Sequence, residues 1–257
     1  SKGGLALTPT RIRLVRPVVR ASLRNGKLSL ASLDPLVERF TSRLPRPDSP
    51  GPLVLVESAR VRLDTDYGST NIFGDARIDG GKLMRLAARM PSTPFKSGDV
   101  EAEGLQATVE LSTEGNRVAV RLAAVADRAR LPGFRGDGAR LTLAGDLPYP
   151  DLEARRGDGR ARFELRLAAA RLFGGEVSAR DVDGQMTFAG QLTGWIERFG
   201  IEGISTGELR AGSIDGPSAP AKTVRLGLTE ARARLAYDTT GLSLSLIHIS
   251  EPTRPRL

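Results

Sequence analysis

The chain has 257 residues, a formal net charge of +8 and no cysteine, which excludes disulfide scaffolds, thiol nucleophiles and cysteine-based zinc sites. Hydrophobic residues reach 40% but aromatics only 5%, so the apolar surface is built from Leu, Val and Ala, with few of the rings a compact β-sandwich seats between its sheets. No stretch approaches the ~18 apolar residues of a transmembrane helix.

Residues 5–24 alternate aliphatic residues with Arg and are interrupted by Pro9 and Pro17, which predicts edge strands. Asn25-Gly26 predicts a two-residue hairpin turn into Lys27–Ala31. Ser32 and Asp34 can cap a helix with Pro35 at its first position. Leu36, Val37, Phe40 and Leu44 then recur at helical spacing, which predicts a short amphipathic helix near residues 34–44. The Pro-rich run 45–52 ends it. From Leu53 onward, short strands follow one another with turn chemistry between them: Asp66-Tyr67-Gly68, Asp79-Gly80-Gly81, Glu114-Gly115-Asn116, Gly174-Gly175 and Asp183-Gly184. Leu83–Met90, Gly104–Ser112, Val118–Ala126, Ala139–Ala144, Arg160–Leu172, Gly203–Ile214 and Thr223–Leu242 are among the predicted strands. Thr193–Phe199 is expected to form one helical turn carrying Trp195, read as a core or cap contact.

The signal behind these strands is period two, as in Leu105-Gln106-Ala107-Thr108-Val109-Glu110-Leu111 and Phe163-Glu164-Leu165-Arg166-Leu167. Successive Cβ atoms point to opposite sides of a strand, so such a segment has one aliphatic face and one wet face. No βαβ rhythm is present, which disfavours a parallel doubly wound sheet. The expected fold is mainly β: a long, curled antiparallel meander forming an open groove with an apolar inner face. Residues 1–46 form hairpins plus the short helix, 47–243 the curled meander, and 244–257 a separate tail.

Leu244–Arg254, LSLIHISEPTR, resembles the translation of a transposase-type sequencing adapter, so the tail is expected to be an artefact. The sole histidine, His248, lies inside it and is set aside as a catalytic or metal-binding candidate. The chain starts at Ser1 without an initiator Met and reads as an internal piece of a longer protein.

Arginines stand singly beside acids (Arg62 with Asp64, Arg166 with Glu164), which reads as a solvated strand face rather than a nucleic-acid groove with stacking aromatics. The positive charge is compatible with a mild attraction to anionic membrane surfaces. Asp64 and Asp66 share a strand face but sit where turns recruit Asp. Asp181-Val182-Asp183-Gly184 resembles the start of a calcium loop without its later ligands. Gly157-Asp158-Gly159 and Gly133-Phe134-Arg135-Gly136 match no phosphate-binding fingerprint, and Ser69 and Ser205 have no base beside them. The reading expects no enzyme, no cofactor and no metal.

At Val61-Arg62-Leu63-Asp64-Thr65-Asp66-Tyr67-Gly68, followed by strand, Gly-Gly turn and strand, the chain resembles the AsmA-like envelope proteins. Within them it is most similar to the YdbH branch, whose relatives include TamB and YhdP. The texture agrees over most of residues 1–243. The resemblance implies a periplasmic protein anchored in the inner membrane through an N-terminal segment missing here. Its β-groove would conduct phospholipids between the inner and outer membranes, with other envelope proteins as partners at the missing ends. The groove lining expected on this reading is Val61, Leu63, Leu105, Val109, Leu111, Val118, Val120, Leu122, Leu141, Leu143, Phe163, Leu165 and Leu167, in contact with acyl chains. The principal rival is a structural or adhesive β-solenoid-type passenger whose apolar face is its own closed core. A fragment of an outer-membrane barrel ranks behind it, because aromatic girdles are lacking.

Overall fold

The computed structural model describes residues 10–24, 27–29, 51–65, 68–97, 99–150, 157–195, 198–217, 220–238 and 241–248. The predicted helix at 34–44 and most of the Pro-rich run after it lie outside the described residues. Among the described residues the chain is strand and turn: β1 (Arg11–Val15), β2 (Val18–Arg24), β3 (Lys27–Ser29), β4 (Leu53–Thr65), β5 (Gly68–Asp79), β6 (Lys82–Ser97) and β7 (Val100–Glu114) come first. β8 (Arg117–Leu131), β9 (Phe134–Pro148), β10 (Gly159–Gly174), β11 (Val177–Trp195), β12 (Arg198–Asp215), β13 (Ala221–Asp238) and β14 (Gly241–His248) follow. All belong to one open sheet, in the order β14-β13-β12-β11-β10-β9-β8-β7-β6-β5-β4-β2-β3, with β1 also on β4.

From β4 to β14 every neighbouring pair is antiparallel, the expected meander. The start departs from it. β1 and β2 lie end to end along the same edge of β4 and run parallel to it. A parallel pair needs a long connection, and the stretch between β3 and β4 supplies one.

Two-residue turns close the hairpins where glycine can adopt the left-handed conformation they require. Gly80 and Gly81 (φ 56° and 79°) join Asp79 to Lys82. Gly115-Asn116 joins β7 to β8, and Gly175-Glu176 joins β10 to β11. Two predicted breaks are absent. β11 runs straight through Asp183-Gly184, where a Cβ would come within 2.9 Å of Leu209 Cδ1. That glycine makes room for a neighbour's leucine instead of turning the chain. Thr193–Phe199 is not a helical turn either: Trp195 ends β11 opposite Arg198 of β12. β6 outruns its predicted end at Met90, passing Pro91 and Pro94 to Ser97. The β6–β7 ladder is irregular between Met90 and Phe95, the kind of site where a strand tolerates proline.

At the far edge the backbone of Gly241–His248 pairs with β13. The alternation Leu242-Ser243-Leu244-Ser245-Leu246 is what an open sheet edge takes up.

Burial is shallow throughout. Among the described residues the buried apolar ones are Ala21, Leu63, Ala126, Ala161, Ala169, Val182 and Ala211, and no large side chain is fully buried. A single sheet with no covering layer among the described residues gives this result, since each side chain is sheltered by its neighbours on the same face.

Candidate functional site

Thirteen aliphatic and aromatic positions were expected to line one surface, and eleven of them lie on four adjacent strands, β7 to β10. Register puts them into rows. Val109, Leu122, Leu143 and Leu165 are consecutive cross-strand partners, and the row continues through Met186, Gly207 and Leu228. A second row reads Leu111, Val120, Gly145, Phe163, Phe188, Ser205. A third reads Ala107, Ala124, Leu141, Leu167, Gly184, Leu209, Leu226. Val118 stands opposite Thr113 and Leu147, and Leu105 opposite Thr93. Val61 and Leu63 are apart from this group on β4, facing Ile72 and Thr70. Every expected position is half-buried except Leu63, which is buried; Gln106, Glu110 and Arg121, between them in sequence, are exposed.

Met186, Leu209, Leu226 and Leu228 extend the rows beyond the expected set. Their signal was in the sequence, in the alternations Met186/Phe188 and Leu226/Leu228. A subtler signal is a phase slip. The half-buried set steps by three residues at Ala102/Leu105 in β7, Ala126/Ala129 in β8 and Gly136/Ala139 in β9. It does so again at Ala169/Leu172 in β10, Ala179/Val182 in β11 and Ala211/Ile214 in β12. Both partners step together, so register is kept and the aliphatic residues return to the same face without a bulge.

Rings cover glycines on this face. A Cβ on Gly145 would meet Phe163 at 2.5 Å, and one on Gly190 or Gly203 would meet Phe188 at 2.6 or 2.7 Å. The two rings lie 6.0 Å apart, tilted by 39°. Farther along, no ring covers the glycines and the rows sink: Leu165, Leu167, Met186, Leu209, Leu226 and Leu228, with Gly184, Gly207 and Gly227, line an open depression of about 290 Å³.

The other face is charged. Arg166 pairs with Glu164 (2.7 Å) and Arg62 with Asp64 (3.6 Å), as their spacing predicted. Arg117 pairs with Asp146, Arg128 with Glu103, and Arg130 with Glu101. Hydrogen bonds from Lys96, Arg13 and Arg210 hold the carboxyls of Glu101, Glu57 and Glu208 below their ordinary range.

The remaining polar candidates sit in structural positions. Asp158 accepts the Gly194 N–H at 2.7 Å, and Arg62 donates to Ser69 Oγ at 3.2 Å. Ser205 is buried in the second row between strands. Asp181 and Asp183 flank the buried Val182 inside β11. Among the described residues no three His, Asp or Glu side chains cluster as a metal site would require.

No family model, curated protein or solved structure matches the chain. The site therefore rests on its own geometry: registered rows of mostly aliphatic side chains across β7 to β13, half-buried from β7 to β12 and opening to solvent at Leu226, backed by a face of ion pairs.

Proposed function

We propose that this chain is part of an envelope protein that carries phospholipids along a hydrophobic β-groove, with the rows of β7 to β13 as the surface met by acyl chains. The observation that carries the reading is an aliphatic surface seven strands wide with no second layer of described residues over it. An acyl chain gains about 0.8 kcal/mol per buried CH₂, so two ~16-carbon tails need more than ~20 kcal/mol of shelter on leaving a bilayer. Leu, Val and Ala repeated row after row offer equivalent shelter at each step and no tight site to stall in. The paucity of aromatics suits such a path. Ion pairing on the opposite face keeps that side in water. The resemblance to AsmA-like proteins at Val61–Gly68 agrees with this assignment and would imply a periplasmic protein anchored in the inner membrane.

Photocrosslinking tests it. A photoreactive residue at Leu122, Leu143 or Leu165, in protein produced in a bacterial envelope, should capture phospholipid several-fold more than one at Gln106, Glu110 or Arg121. Equal capture from both faces would overturn the proposal. Lack of capture from either would favour the rival, a structural or adhesive β-protein whose aliphatic face is closed by protein.

A further inference from the structure

The phase slips are not scattered; register brings them into one line. In β7 and β8 the pair Glu103–Arg128 is followed by Gln106–Val125. In β8 and β9, Ala126–Ala139 is followed by Arg128–Asp137. The ladders of β9–β10, β10–β11, β11–β12 and β12–β13 are interrupted at the corresponding places. Extrapolated through these registers, Gly104, Asp127, Gly138, Ala170, Asp181, Gly212 and Thr223 stand opposite one another, one from each strand of β7 to β13.

Alternate members of that line are left-handed. Gly104 has φ 63°, Gly138 60°, Asp181 51° and Thr223 53°. For a β-branched threonine this is a genuine outlier, and such strain persists only where the surroundings impose it. All members but Gly104 are exposed. The adjoining residues on the aliphatic face are the reverse: Ala126, Ala169, Val182 and Ala211 are among the few buried residues of the chain. Leu209 from one side of the line and Leu172, Ala179 and Ile214 from the other pack on the same Ala169–Val182–Ala211 cluster. Side chains from both sides of the line thus meet on one cluster, the arrangement a sheet bent toward that face produces.

We infer that this line is a fold line built into the backbone, which creases the sheet across seven strands and closes it on its aliphatic face. Register is the same on both sides of the line, so the left-handed residues are matched across the strands, and set opposite one another they turn the sheet as a unit. Small residues occupy the inner angle because larger ones would prop it open. The crease follows from local conformation and needs no bound lipid. Only its use, to shelter an apolar chain without a second layer, rests on the function proposed above.

The chain lacks cysteine, so spin labels at Arg162Cys and Glu176Cys would be unique, and both positions are exposed. Fourteen residues separate them, roughly 46 Å along a straight strand. Double electron–electron resonance on the lipid-free chain should give a narrow distance distribution centred below about 40 Å. Gly138→Val with Asp181→Val denies the left-handed conformation and should move the distance several ångströms toward the straight value or broaden it strongly. Gly138→Asn with Asp181→Asn, which tolerates that conformation, should keep the parent distance. A parent distance at the straight-strand value overturns the inference, as do Val and Asn variants that agree. If the Val variant does not fold, the parent distance decides alone. Failure of lipid capture in the crosslinking experiment would leave these distances untouched, so the two readings fail separately.

Discussion

At Gly190 and Gly203, which face each other across β11 and β12, a Cβ would come within 2.2 Å of the Glu202 carbonyl and 2.4 Å of the Ala189 carbonyl. Either alanine substitution forces two strands and the Phe188 ring apart, and should cost about 1–3 kcal/mol, the usual penalty of overpacking. Thr223 presents the opposite case. Its left-handed conformation costs an L-residue about 1–2 kcal/mol, whereas glycine in a strand costs about 0.5–1 kcal/mol. Thr223→Gly should therefore stabilise by up to about 1 kcal/mol, the difference between those two terms. Thr187, exposed in regular strand and sharing a 2.7 Å hydrogen bond with Thr206, is the control: Thr187→Gly should only destabilise. Urea midpoints of the four variants check the signs, and a destabilising Thr223→Gly would show that the left-handed residue carries no strain. The sequence marks each of these glycines as a breaker. Whether one turns the chain, as at Gly80-Gly81, or yields space, as at Gly184, is decided by the side chain on the next strand, such as Leu209, about 25 positions away.

Strands β6 and β7 meet near their hairpin end through Lys96 and Glu101, and Arg130 of β8 reaches the same carboxylate at 3.3 Å. The hydrogen bond from Lys96 lowers the pKa of Glu101, with Arg130 adding to the effect. Glu57 and Glu208 are lowered by Arg13 and Arg210. A carboxylate depressed in the folded state contributes stability above its unfolded pKa and loses it as pH falls through the folded value. These groups should thus contribute fully at neutral pH and leave the melting temperature independent of pH there. It should decline as pH drops below the ordinary glutamate value of about 4.3. All three groups sit at the surface, so the contribution is small and shrinks with salt. Glu101→Gln at low salt should lose part of the neutral-pH stability and flatten the acid limb of the curve; an unchanged limb would mean that Lys96 and Arg130 hold nothing in place. At the level of elements the meander was readable, since period two and turn glycines are both local. The parallel docking of β1 and β2 on β4 was not, because it depends on where a connection of some twenty residues returns the chain. The phase slips were visible as Ala-x-x-aliphatic spacings, but only cross-strand register shows that they line up.

Across the described residues each strand pairs with its immediate neighbours, and longer contacts are few: Leu83 N–H donates to Tyr149 Oη and Arg117 to the Arg160 carbonyl, so stability is close to a sum of nearest-neighbour terms, as in repeat proteins. Such a sheet opens from its ends. The middle strands, with long ladders on both sides, must wait for outer ones to leave; β1, β3 and β14 need not. Native-state hydrogen exchange should therefore be graded, slowest in β8 to β11 and fastest toward β1–β3 and β14, with no single rate shared by all. A ligand that binds only the folded sheet adds stability in proportion to the logarithm of its occupancy ratio, and it does so where it sits. If the aliphatic rows receive acyl chains, adding detergent-dispersed phosphatidylethanolamine should slow exchange across β7 to β13 and leave β1 to β3 unaffected. Detergent alone sets the baseline. Protection spread evenly over the chain would point to nonspecific coating, and protection confined to strands outside β7 to β13 would point to adsorption elsewhere on the sheet. Either pattern would remove the rows of β7 to β13 as the path of the lipid, while the graded exchange of the lipid-free sheet would stand on its register alone.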